Sequence, residues 1–111
     1  VVIHDGTVDR TTNGSGRVVD MTVAEIKKLD AGYHFTPDNG VTYPYRSRGV
    51  TIPTLDEVLT DFPDFPLNLE SKDDDTHAAE RLSEIIVAHH AQERVIVVSF
   101  HDAPLNYFRK L

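Results

Sequence analysis

The chain has 111 residues, of which 40% are hydrophobic and 26% charged, the balance of an ordinary globular domain. Its net charge is −7 and it has no cysteine. These values exclude a basic, sequence-independent nucleic-acid surface, a disulfide framework, a thiolate nucleophile and a cysteine zinc site. No apolar run approaches the roughly 20 residues that cross a bilayer, no signal peptide is visible, and the compartment stays open.

Val1 to Ile3 read as a short buried strand that ends in His4-Asp5. Asn13-Gly14-Ser15-Gly16 is a turn, and Arg17 to Asp20 a short extended piece after it. Thr22-Val23-Ala24-Glu25 has capping-box spacing, a hydroxyl with a glutamate three residues on. It predicts a short helix that carries Ile26 and Leu29 and stops near Gly32. Residues 33–50, with two prolines and four aromatics, read as a long loop. Such a loop is either functional or a surface excursion packed by its own aromatics, and the sequence favours neither.

Thr54 to Glu57 repeat the capping-box spacing and predict a second helix with Leu55, Val58 and Leu59, ended by Pro63 and Pro66. Leu67 to Lys72 alternate as a strand does. The acidic run Asp73 to Asp75 with Thr76 suits a helix N-terminus. Ala78 to Ala91 is the clearest helix, with Leu82, Ile85, Ile86 and His89 on one side. Val95 to Phe100 is nearly all apolar, the pattern of a strand buried on both faces. Asp102 and Pro104 then open a helix with Leu105 and Phe108. Strand, helix, strand and helix in succession predict an α/β fold with parallel strands alternating with helices.

Side chains alternate along a strand, so Asn68, Glu70 and Lys72 share one face of the segment 67–72. A carboxylate and an ammonium on one face are either a structural ion pair or a metal-binding carboxylate beside a lysine for an anionic substrate. His4, at the C-terminal end of an apolar run, stands where α/β proteins bind ligands, and an imidazole there could act as general acid or base. Asp5 is its neighbour, but adjacent strand residues face opposite ways, so no direct hydrogen bond between them is expected. Asp5, Thr7 and Asp9 fail as a calcium loop: Arg10 stands where that loop needs glycine and Gly16 where it needs glutamate. His89 and His90 are adjacent on a helix and do not face one metal. His34, His77 and His101 have no partner at ligand spacing, although His101 follows a strand end and belongs to the same rim. Arg46 and Arg48 in the long loop could meet an anion, but solvated charges are the commoner reading.

Several segments together resemble the glycerophosphodiester phosphodiesterase family. They are Val2-Ile3-His4-Asp5 with Thr7, Asp9-Arg10-Thr11-Thr12, Gly14-Ser15-Gly16, Met21 to Gly32, Ile52 to Leu59, Asn68 to Lys72, and Ser99-Phe100. They occur in the family's order and cover nearly the whole chain. The resemblance implies a TIM (β/α)8 barrel and a divalent-metal-assisted hydrolysis, with calcium or magnesium, of glycerophosphodiesters to glycerol 3-phosphate and an alcohol. It implies that His4 is one of two catalytic histidines, Glu70 a carboxylate ligand of the metal, and Lys72 the lysine beside the substrate phosphate.

The family's pattern also includes a His-Arg-Gly strand, a Glu-Asn-Thr helix start and a Glu-x-Asp strand, and this sequence contains none of them. A full barrel takes about 250 residues. The expectation is therefore a partial barrel, truncated at both ends, one incomplete domain over residues 1–111 that is inactive alone. Its open sheet edges would favour self-association. A non-catalytic binding module derived from a barrel, or a phospholipase C-like or D-like lipase, are the alternative readings.

Overall fold

The spacing at Thr22 is realised as a full capping box: Thr22 Oγ accepts from the Glu25 amide at 3.2 Å, and the Glu25 carboxylate accepts from the Thr22 amide at 2.8 Å. The helix it starts, α1 (Val23–Ile26), is short in this computed structural model, which describes residues 1–110. After Ile26 the amides of Lys28 and Leu29 reach back only three residues, to Glu25 and Ile26. Tightening of this kind ends a helix, so α1 stops well before Gly32.

Two compact units make up the chain, the first being Val1–Thr54 and the second starting at Leu55. Val8, Ile26 and Ile52 form the buried centre of the first, with Ile3, Val18, Met21, Leu29 and Ala31 packed around them. The expected strand at Val1 to Ile3 does not form. Val2 makes one extended-backbone bond, from its amide to the Pro53 carbonyl at 2.8 Å, and one bond does not make a ladder. Arg17 forms a single antiparallel bridge with Thr7, and a 3-10 turn, Val18–Asp20, replaces the rest of the expected extended piece.

Residues 33–50 are a loop, as the sequence predicts, and its aromatics pack on one another. Phe35 and Tyr45 lie 5.2 Å apart, and the Arg46 guanidinium sits over the rings of both Tyr33 and Tyr43 at 4.0 and 3.9 Å. Asp38 gathers the loop's far end by accepting from the Thr42 amide and hydroxyl and from Thr36. Asp30 ties the near end by accepting from the Gly32 and Ser47 amides. At Gly32 the Tyr45 carbonyl comes so close that a Cβ would lie 2.3 Å from its oxygen, which leaves room for glycine alone.

In the second unit α2 (Leu55–Asp61) precedes β1 (Leu67–Ser71), α3 (Thr76–Ala88), β2 (Val95–Ser99) and α4 (Asp102–Phe108). The two strands pair in parallel, from Leu67 opposite Val95 to Ser71 opposite Ser99. This is the predicted α/β arrangement, with α3 as the crossover. Asp75 caps α3 by accepting from the Ala78 amide at 2.7 Å. The helix ends three residues before Ala91 because His90 adopts a left-handed conformation, φ 51°. The His90 amide then donates to Val87 and the Ala91 amide to Ile86, a Schellman closure.

The core of this unit is Leu59, Ile86 and Ala91, with Leu67, Leu82, Val95 and Val97 packed against it. One face of the sheet is thus covered. The other carries Asn68, Glu70, Ile96 and Val98, all exposed, with Ile96 at 68%. The expected burial of Val95 to Phe100 on both faces does not hold. Alternate residues of β2 point away from the side where α3 packs.

Candidate functional site

The loop that follows His4 is a tight structure built on itself. The Val8 amide donates to Gly16 and the Val18 amide to Gly6, each at 3.0 Å. Asp9 accepts from the Gly16 amide at 3.0 Å. Thr12 is fully buried; its hydroxyl donates to the Val8 carbonyl at 2.7 Å and accepts from the Gly14 amide at 3.0 Å. Asn13 secures the loop to the next turn through the Asp30 amide at 2.9 Å. Much of the Asp9 to Gly16 motif therefore serves to hold this loop.

The closed loop brings Arg10 back onto Asp5. Arg10 Nε donates to Asp5 Oδ2 at 2.7 Å and Nη2 to Oδ1 at 2.9 Å, a bidentate pair. His4 Nδ1 lies 2.8 Å from the same Oδ1. The expectation that His4 and Asp5 would not bond is overturned. Residues 4–6 form a bend, not a strand, so their side chains are free of strand alternation. The Arg10 guanidinium, and after it the His4 ring, hold the Asp5 carboxyl well below the usual carboxylate range. The His4 side chain is 79% exposed, which leaves its other ring nitrogen toward solvent.

Glu70 and Lys72 do share a face, as alternation predicts, and they form an ion pair at 2.9 Å. They stand at the C-terminal end of β1, beside the C-terminal end of β2. There the Ser99 hydroxyl donates to the Ser71 carbonyl at 3.0 Å and accepts from the His101 amide at 3.1 Å, so His101 follows directly on this rim. His4 belongs to the first unit, and Glu70 and Lys72 to the second.

Among the described residues no group of three or more His, Cys, Asp or Glu side chains could hold a metal ion. A calcium or magnesium ion asks for six or more oxygen ligands. Glu70, paired with Lys72, supplies one carboxylate, so these residues do not by themselves fit a complete metal site. No helix among them is long and apolar enough to cross a membrane.

Other candidates resolve as structure. Arg46 is held by the Tyr33 and Tyr43 rings and by the Tyr33 carbonyl at 2.8 Å. His34 meets the Tyr33 ring edge-on, and His89 pairs with Asp56 at 2.9 Å. A cavity of about 830 Å³ opens between α3, β2 and α4, but Val95 and Val97 line it, which places it across the sheet from Glu70. Sequence reasoning missed the Asp5–Arg10 pair. Its nearest signal was the turn at Asn13 to Gly16, which folds the segment before it back on itself.

Comparison with known proteins agrees along the whole chain. The model of the glycerophosphoryl diester phosphodiesterase family matches residues 1–111. A glycerophosphodiester phosphodiesterase of Caldanaerobacter subterraneus subsp. tengcongensis is 43% identical over 100% of this chain and 44% of its own length. That of Bacillus subtilis is 37% identical over 95% of this chain and 39% of its own. Among solved structures, the glycerophosphoryl diester phosphodiesterase domain of Mycobacterium tuberculosis Rv2277c superposes with a TM-score of 0.82 at 27% identity, over 96% of this chain and 39% of that one. The Agrobacterium tumefaciens glycerophosphodiester phosphodiesterase gives 0.78 at 27% identity, over 97% and 42%. The chain thus spans less than half the length of these relatives.

Proposed function

The chain belongs to the glycerophosphoryl diester phosphodiesterase family, and from that premise we propose that its residues form part of a hydrolase that converts glycerophosphodiesters to glycerol 3-phosphate and an alcohol. The run β1–α3–β2–α4 is read as two consecutive units of a (β/α)8 barrel, with the exposed sheet face turned to the barrel interior. Its parallel register and the likeness to two solved members of the family support that reading.

The observation that carries the functional reading is the position of Glu70 and Lys72. They stand at the C-terminal end of a parallel strand, on the face the helices leave open, where barrels of this kind place their chemistry. In this reading Lys72 offers its charge to the substrate phosphate, and Glu70 would supply one carboxylate to a divalent cation that would polarise that phosphate. His4, exposed at the end of its segment, exchanges protons with the attacking or leaving oxygen. A surface that leaves Ile96, Val98 and the 92%-exposed Phe100 to solvent is also the one on which the isolated chain would self-associate.

The test is a graft. Residues 1–111 replace the matching segment of the Caldanaerobacter relative, and release of glycerol 3-phosphate from glycerophosphocholine is followed with calcium or magnesium. Activity that depends on His4 and Glu70 supports the reading. A folded graft without activity favours a non-catalytic binding module.

A further inference from the structure

We propose that Asp5 is the positioning residue for His4 and that Arg10 anchors it, so that the imidazole carries its proton on Nδ1 and leaves Nε2 bare to exchange a proton with substrate. The proposal rests on the reading of His4 as a proton-transfer group and adds what sets its tautomer.

The argument runs from charge to proton position. Arg10 takes both oxygens of Asp5, at 2.7 and 2.9 Å, and a bidentate guanidinium keeps a carboxylate ionised. An ionised carboxylate only accepts hydrogen bonds. The 2.8 Å contact between His4 Nδ1 and Asp5 Oδ1 therefore needs its hydrogen on the histidine. A neutral imidazole has one N–H, so Nε2 is left as the acceptor. An imidazole free in water favours the opposite tautomer, so this arrangement is one the protein imposes.

The loop makes the arrangement rigid. Arg10 follows Asp5 by five residues, and buried Val8 and Thr12, with the Thr7–Arg17 bridge, fix the path between them. In the proposed step Nε2 takes the proton of the attacking oxygen, and the ring becomes an imidazolium that donates to Asp5 from Nδ1. The exposed ring then releases that proton from Nε2 to water, and the leaving oxygen takes its proton from elsewhere. The proton on Nδ1 never leaves, and Asp5 stays ionised.

The test reads the tautomer directly. Long-range nitrogen–proton correlation spectra of the labelled 111-residue chain, recorded above neutral pH, report which nitrogen of each histidine is protonated, with exposed His90 as reference. His4 should show a protonated Nδ1 and a bare Nε2. Asp5→Ala should return it to the reference tautomer. Asp5→Asn keeps the side chain's size and, with Arg10 holding the amide oxygen, turns an NH2 toward Nδ1, which should drive the proton to Nε2. Arg10→Met should loosen the preference.

A protonated Nε2 on His4 in the wild-type chain overturns the proposal, as does an unchanged tautomer in both Asp5 variants with the amide spectrum intact. In the graft, Asp5→Asn should lower kcat by at least about tenfold with KM little changed, and Asp5→Glu should recover part of it. If His4→Ala leaves the graft fully active, the functional reading fails while the tautomer result stands on its own.

Discussion

Lys72 Nζ lies 2.9 Å from Glu70 Oε2, across one intervening residue at the end of a parallel strand. Both side chains reach solvent, and exposed pairs of this kind contribute roughly 0–1 kcal/mol. Lys72→Met should therefore shift the urea midpoint of the chain only slightly. In the graft it should still slow hydrolysis by at least about tenfold, because the ammonium would meet the phosphate there. Equal, small effects on both would reduce the pair to surface charge.

Arg94 is held at more points. Its guanidinium donates to the carbonyls of Phe62 at 3.1 Å, Phe65 at 3.0 Å and Leu59 at 3.3 Å, which closes the C-terminal end of α2 and the turn after it. Hydrogen bonds to charged groups contribute about 1.5–3 kcal/mol. Arg94→Met should cost an amount in that range by urea denaturation. Arg94→Lys should restore little, since one ammonium cannot span three carbonyls as the planar fork does.

Acid should weaken the first unit through two carboxylates. Asp5 is held low by Arg10 and then His4, and Asp38 by the Thr42 hydroxyl and then the Thr42 amide. A carboxylate with a depressed folded pKa stabilises the fold above its unfolded pKa, about 3.9, and that stabilisation is lost as pH falls through the folded value. Thermal midpoints should therefore be flat near neutrality and decline below about pH 4. Asp38→Asn should be less stable than wild type at pH 6, and the difference should shrink at pH 3. A difference that does not change between the two would contradict this.

The open face of the sheet should govern behaviour in solution. Ile96 and Phe100 are 68% and 92% exposed, beside the unpaired edges of a two-stranded sheet. Size-exclusion chromatography of the isolated chain should show dimers or aggregates, and the double variant Ile96→Ser with Phe100→Ser should shift it toward monomer. A monodisperse wild-type monomer that melts cooperatively would contradict the expectation.

Periodicity made the second unit legible. Alternation at 67–71, the acidic cap at Asp75 and the apolar run at 95–99 each carry a local signal, and the parallel pairing follows from a helix between two strands. The first unit was legible at the loop over 33–50, from its prolines and aromatics, and at Thr22, where the capping box is spelled by neighbours in sequence. Val1 to Ile3 has strand composition, yet a strand is made by its partners, and here Val2 finds one carbonyl. The apolar run at Val95 to Phe100 shows that both faces suit burial, but nothing in it shows that only one is covered. Of the site, Glu70 and Lys72 were legible from alternation. The Asp5–Arg10–His4 chain was hidden because it depends on how a loop closes around Thr12.

The central claim is that this chain carries a proton-transfer histidine at position 4 and a metal-ligating carboxylate at position 70. The most direct test is the initial rate of glycerol 3-phosphate release from glycerophosphocholine by the graft, its His4→Ala variant and its Glu70→Ala variant, each shown to be folded. The account predicts hydrolysis by the graft and losses of about 100-fold or more in both variants. Full activity without His4 or Glu70, or no hydrolysis by the folded graft with either metal, would contradict it.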